Sequence, residues 1–230
     1  MIRRASRGRL KIFLGYGAGV GKTYRMLLEG HALKAEGIDV VIGLLESHGR
    51  VDIENLAKGL EVVPRKSEEY RGIVISEMDI PAIIARKPQV SLIDELAHSN
   101  APGSHNAKRY EDIEDILAAG IHVVSTLNIQ HLESLYDTVE KELGVKVKER
   151  IPDSVLLDAD EIVNVDLTTK DLRKRLHEGK IYPASRVQTA MENFFSPGSI
   201  LGTPSIIMGV VFLVNSQPVV APIQLPVYRS

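Results

Sequence analysis

The stretch from Leu10 to Thr23, LKIFLGYGAGVGKT, constrains this chain more than any other. An apolar run, Leu10 to Leu14, leads straight into Gly15, Gly17, Gly19 and Gly21. Lys22-Thr23 then opens a helical pattern that continues to Lys34. The β-branched and aromatic content of the run suits a buried strand. Glycines let the following backbone take positive φ and come close to a ligand. Strand, glycine-rich loop, Gly-Lys-Thr and helix is the P-loop order. Loop amides and a helix N-terminus aim unpaired N–H groups and the positive end of the helix dipole at phosphates. The expectation is a phosphate cradle made by Gly17, Gly19, Val20, Gly21, Lys22 and Thr23. Lys22 would reach the β- and γ-phosphates of ATP, and the Thr23 hydroxyl would ligate Mg2+. The strict pattern has its first glycine at position 16, which is Tyr16 here. Gly15 falls one residue early, while Gly19-Val20-Gly21-Lys22-Thr23 is intact. A glycine-rich turn that binds nothing is the plainer alternative, and the strand and helix on either side argue against it.

Further along, a continuously apolar run at 40–45 and strongly apolar runs at 89–94, interrupted by Ser91, 121–126 and 162–165 read as buried strands, with shorter strands at 61–64 and 145–149. Between them, helical patterns occupy 52–60, 77–86, 110–119 and 130–143. A helical turn covers 153–158, and further helices cover 169–178 and 186–195. Residues 65–73, RKSEEYRGI, carry charge without a clear period. Strands alternating with helices at this spacing imply βαβ units. The fold class is α/β: a mostly parallel sheet flanked by helices, a P-loop NTPase-like three-layer sandwich. Such a sheet gathers its strand carboxyl ends on one edge, where ligands bind. That edge collects the glycine-rich loop, Glu46 and His48, Asp94 and Glu95, and Asn128, Gln130 and His131.

A length of 230 residues, 44% of them hydrophobic, suits one large domain with an appendage. We divide the chain into a basic lead-in (1–9), a nucleotide-binding domain (10–196) and an apolar, proline-containing tail (197–230). A net charge of −2 provides no basic field for nucleic acid. The chain has no cysteine, hence no disulfide or thiolate metal site. The apolar run after the basic start is too short for a signal peptide, and no apolar run is long enough to span a bilayer. The expected location is cytoplasmic. Residues 200–214 are apolar but interrupted by Gly202, Pro204 and Gly209, and read as a loosely packed tail, with a strand added to the sheet edge or a membrane-surface contact as alternatives; the rest of the chain is expected to meet a membrane only indirectly.

The second signal is VSLIDE at 90–95. An apolar strand ending in aspartate is the Walker-B pattern, in which Asp94 holds Mg2+ together with Thr23. The adjacent Glu95 suits a general base that polarises an attacking water. A helix-capping Asp-Glu pair is the alternative. Asn128 would orient water near the γ-phosphate or cap the helix predicted after it. The histidines have no zinc-site spacing and are expected to be polar groups around phosphate or water. Lys108 and Arg109 read as a solvated charged pair, with anion contact as the alternative.

LKIFLGYGAGVGKTYRML, EGIDVVIGLLESHGR, LIDELAHSNAPGS, TLNIQHLESL and LRKRLHEGKIYP occur in this order. Together, from about Gly8 to Phe195, they resemble the cytoplasmic N-terminal domain of the KdpD family, sensor histidine kinases of bacterial potassium homeostasis. The resemblance implies an ATP-binding regulatory domain that adjusts kinase and phosphatase activity. It also implies partnership with the remainder of a KdpD-type kinase and its response regulator KdpE, with a homodimer as a further option. The tail after Pro197 does not match the family's usual continuation. The sequence contains no phosphoacceptor histidine box and no kinase ATP-lid glycines, so any enzymatic activity of its own would be a weak ATPase. A stand-alone P-loop ATPase is the alternative function.

Overall fold

The computed structural model describes residues 7–15, 17, 19–70, 73–137 and 147–165. In chain order these form β1 (Leu10–Gly15), α1 (Lys22–Ala35), β2 (Val40–Leu44), α2 (Val51–Ala57), β3 (Glu61–Val62), β4 (Lys66–Tyr70), β5 (Ile73–Glu77), α3 (Ile80–Arg86), β6 (Val90–Ile93), α4 (Arg109–Ala118), β7 (His122–Asn128), α5 (Ser154–Leu157) and β8 (Glu161–Asn164). Six strands make one sheet in the order β3-β2-β6-β7-β1-β8, and every ladder in it is parallel. The predicted α/β architecture is what forms. The helices anticipated at 169–178 and 186–195, the tail 197–230 and most of the lead-in lie outside the described residues.

The strands are apolar on both faces because both are covered. Leu10, Ile12 and Leu14 of β1 enter one core with Ile83 of α3 and Ile113, Ile116 and Leu117 of α4. Phe13 enters the other with Met26 and Leu27 of α1 and Ile53 of α2. Each such side chain contributes about 1.5–3 kcal/mol when fully buried. The sheet is thus the middle of three layers, with α1 and α2 on one side and α3 and α4 on the other. The β2–β6 register shifts between Ile42 and Leu44. A Cβ at the intervening Gly43 would lie 2.5 Å from Ser91 Oγ and 2.8 Å from Ile83 Cδ1.

Three stretches depart from expectation. Residues 66–77 form an antiparallel hairpin, β4–β5, outside the main sheet. Lys66, Ser67, Val74 and Ser76 are exposed. Side chains set out in solvent leave no apolar period, and the helix predicted from 77 starts only at Ile80, where Asp79 Oδ1 caps it by accepting from Ala82 N–H at 2.9 Å. The helix predicted over 130–143 is replaced, within the described residues, by two 3-10 turns, Ile129–His131 and Glu133–Leu135. Here Ile151 recruits the backbone: its N–H donates to His131 O, and its carbonyl accepts from Glu133 N–H. Residues 147–149 of the predicted strand 145–149 are not a strand; the pairing nearby is one Leu132–Ile151 bridge.

Candidate functional site

The carboxyl ends of β1, β2, β6 and β7 surround a cavity of about 410 Å3. At one end of it lies the turn from β1 into α1. Gly19 has φ 81°, and Gly21, which precedes α1, has φ 105°. Both are left-handed values that glycine adopts without penalty. The first turn of α1 has no acidic residue and no side-chain cap, so its leading N–H groups stay free for an anion. Val20 is buried in the core beside Phe13 and can offer a ligand only its backbone. Lys22 is nearly buried, and its ammonium donates to Gly17 O at 2.7 Å.

Asp94 follows β6 and is buried. Its N–H donates to Leu44 O of β2, which fixes it at the sheet edge. Thr23 Oγ1 lies 3.2 and 3.1 Å from its two carboxylate oxygens, and Thr126 Oγ1 of β7 also donates to it. Sequence positions 23 and 94 are therefore brought together as expected. Asp94 is not a helix cap: its oxygens are taken by these hydroxyls and by Glu95 N–H. The charges are held under tension. Burial lowers the Lys22 ammonium from 10.5 to about 8, with Asp94 pulling it back up and Arg50 pushing it further down. Burial likewise raises the Asp94 carboxyl, against the hydrogen bond from Thr126. For both groups the cost of burying the charge outweighs the opposite charge that each offers the other.

Glu95 is partly exposed beside this centre, and His48 Nε2 donates to its Oε1 at 2.8 Å. Asn128 closes β7 and lines the cavity. It makes no cap, and its Oδ1 is buried without a partner among the described residues. His131 and His98 line the far wall with Glu149. Glu46 pairs instead with Arg65, and Lys108 donates to Ser99 Oγ; neither lines the cavity. No group of three or more potential metal-binding His, Cys, Asp or Glu side chains occurs among the described residues.

Sequence reasoning missed three groups. Thr126 stands beside Ser125 in an otherwise mostly apolar strand, with no signal of its own. Arg50 reaches the cavity from the turn after β2. Arg109 is the clearest correction: it is not a solvated cation but 1% exposed, donating to the carbonyls of Asp94 and Glu95 at 3.2 and 3.3 Å. Burial draws its guanidinium below its ordinary value, against Glu95 and Glu77. The signal was there: Arg109, Asp112, Ile113, Ile116 and Leu117 form one helical stripe, and all are buried.

Fold and site together define an α/β domain with a lysine-bearing glycine turn facing a buried strand-end carboxylate at the carboxyl edge of a parallel sheet. A family described as "KdpD: Osmosensitive K+ channel His kinase sensor domain" matches residues 6–206, and the chain belongs to that family. It is 58% identical over 189 residues to a putative sensor protein KdpD from Synechocystis, covering 82% of this chain and 51% of that protein. It is 51% identical over 195 residues to the sensor protein KdpD of Escherichia coli, covering 85% of this chain and 22% of that one. The sensor protein KdpD of Mycobacterium tuberculosis is 49% identical over 194 residues, 84% of this chain and 23% of its own length. The chain thus spans about half of the first relative and under a quarter of the others. No helix among the described residues is long and apolar enough to cross a membrane.

Proposed function

We propose that this domain binds ATP with Mg2+ at the glycine turn and acts as the nucleotide-responsive regulatory module of a potassium-responsive, KdpD-type sensor histidine kinase. The observation that supports it most is the convergence of Lys22, the uncapped start of α1 and the Thr23–Asp94 pair on one end of the cavity. Lys22 gives up its bond to Gly17 O to meet phosphate oxygens, and the Gly19–Thr23 backbone follows them. Thr23 and Asp94 would hold the magnesium. Their oxygens lie 3.1–3.2 Å apart. Neighbouring ligands on an octahedral ion with bonds of 2.0–2.1 Å are separated by about 3 Å, so the donor pair fits. The ion supplies charge neutralisation between phosphates. Asn128 offers its unpartnered amide oxygen to a bound water. Glu95 would accept a proton from water if turnover occurs. The reading places the domain in the cytoplasm, acting on the rest of the kinase and through it on the response regulator KdpE.

Titration of the domain with Mg-ATP, followed by heat, tests this reading. A charge-assisted contact contributes about 1.5–3 kcal/mol, so Lys22→Ala weakens ATP at least about tenfold. Equal affinity in a variant that keeps its circular dichroism spectrum would refute the site.

A further inference from the structure

Three non-glycine residues have positive φ among the described residues: His48 at 50°, Lys87 at 52° and Glu95 at 58°. Lys87 closes α3. The other two stand just past the carboxyl ends of the adjacent strands β2 and β6, and their side chains meet at 2.8 Å. Each backbone is over-determined. Ser47 to Arg50 is a tight turn closed by Arg50 N–H on Ser47 O at 3.0 Å, with positive φ at His48 and Gly49. The Glu95 N–H donates to Thr126 Oγ1 at 3.1 Å, and the Glu95 carbonyl accepts from Arg109 at 3.3 Å. Left-handed conformations of this kind persist where surrounding structure enforces them, and they concentrate at ligand sites. Here two of them serve to bring one imidazole onto one carboxylate.

The pair borders the cavity that holds Lys22 and the start of α1. The same cavity is lined by the glycine turn and by Asp94, Glu95, His48 and Arg50. On the nucleotide reading above, the β-phosphate sits at the turn and a γ-phosphate is carried on towards Glu95. A carboxylate there repels the γ-phosphate but meets little of a diphosphate.

We propose that His48 is a specificity-determining residue: by donating to Glu95 Oε1 it turns and screens that carboxylate, so that the site admits a nucleoside triphosphate as well as a diphosphate. The inference rests on the nucleotide reading. The other charged or titratable groups lining the same cavity are Arg50, on the same turn as His48, Lys22, Asp94, which directly precedes Glu95, and His98, His131 and Glu149. Lys22 and Arg50 attract phosphate and stay in place when His48 is changed, so a shift in the ratio on removing His48 reports the His48–Glu95 contact.

The test is a cycle of four proteins, wild type, His48→Ala, Glu95→Gln and the double variant, each titrated with Mg-ATP and with Mg-ADP. The readout is the ratio of the two dissociation constants. His48→Ala shifts the ratio against ATP by about fivefold, the size of one partly exposed like-charge contact. In the Glu95→Gln background the same change moves it by less than about twofold, because the charge it screened is gone. An unchanged ratio in His48→Ala overturns the proposal, as does an equal loss in both backgrounds. A wild type that binds neither nucleotide overturns the nucleotide reading and this inference together. Circular dichroism of each variant separates these results from unfolding.

Discussion

Lys22 offers a test that needs no mutation. Its ammonium is lowered to about 8 from an ordinary 10.5 because it is buried. A phosphate docked against it returns the missing counter-charge and raises the value again. Restoring about 2.5 units corresponds to about 3 kcal/mol of coupling between proton and ligand. The perturbation is pH. At about pH 7 Lys22 is charged before and after binding, and almost no proton is taken up. At about pH 8 roughly half of the molecules must acquire a proton on binding, and at about pH 9 roughly nine in ten. Apparent affinity then falls by about tenfold between pH 7 and pH 9. The sign for stability is the reverse. The free folded protein loses this proton near 8 and the unfolded chain only near 10.5, so the unfolded chain holds more protons in that window. The contribution of Lys22 to stability is therefore unfavourable below about 8 and is relieved as pH rises through the window. Calorimetric titration with Mg-ATP in two buffers of different ionisation enthalpy reads the uptake directly. Zero uptake at pH 9, with affinity equal to that at pH 7, would mean that the ligand does not meet Lys22.

Asp94→Asn removes the carboxylate that would hold the metal, so ATP affinity should lose its dependence on added Mg2+, read by titration with and without a chelator. Glu95→Gln should keep ATP binding and abolish any phosphate release, measured by steady-state assay; full turnover in this variant removes Glu95 from the chemistry. Arg109→Ala leaves the Asp94 carbonyl without its guanidinium donor and the Glu95 carbonyl with the His98 N–H alone, and should cost about 1–3 kcal/mol in urea unfolding. Gly43→Ala should cost about 1–3 kcal/mol from overpacking against Ser91 and Ile83. Adding Ser91→Ala should recover part of it, because the Ser91 hydroxyl has no hydrogen-bond partner to lose.

The parts of the molecule that repeat a strong period were legible in the sequence. β1, β2, β6 and β7 are mostly apolar on both faces because helices cover both, and the turn into α1 is marked by glycines that its geometry uses. Asp94 could be placed at the sheet edge because a polar residue ending a buried strand has only that edge to go to. The hairpin β4–β5 was hidden because Lys66, Ser67, Val74 and Ser76 face solvent and set up no apolar period. The turns at 129–135 were hidden because their hydrogen bonds go to Ile151, a partner with no signature in the local pattern. Asn128 could be read as a cap or as a ligand group, and only its uncapped, unpartnered amide favours the second. Arg109 was obscured by its charge: the residue type said surface while its position on the α4 stripe said interior.

The order of the sheet also bears on how the chain is made. β1 pairs with β7 and β8 and with no strand that lies between them in sequence. Val123 is the partner of Leu10, so β1 leaves the ribosome with both edges open and waits for roughly 110 further residues. At about 5–20 residues per second that wait lasts on the order of ten seconds. β2, β3 and β6 can pair among themselves meanwhile. The glycine turn and Asp94 stay on separate pieces until β7 slides between them and offers Thr126 to Asp94. During synthesis, then, capacity for ligand should switch on at one chain length, just past Asn128, and the open apolar strand at residues 10–15 is the segment a chaperone would have to shield until that moment.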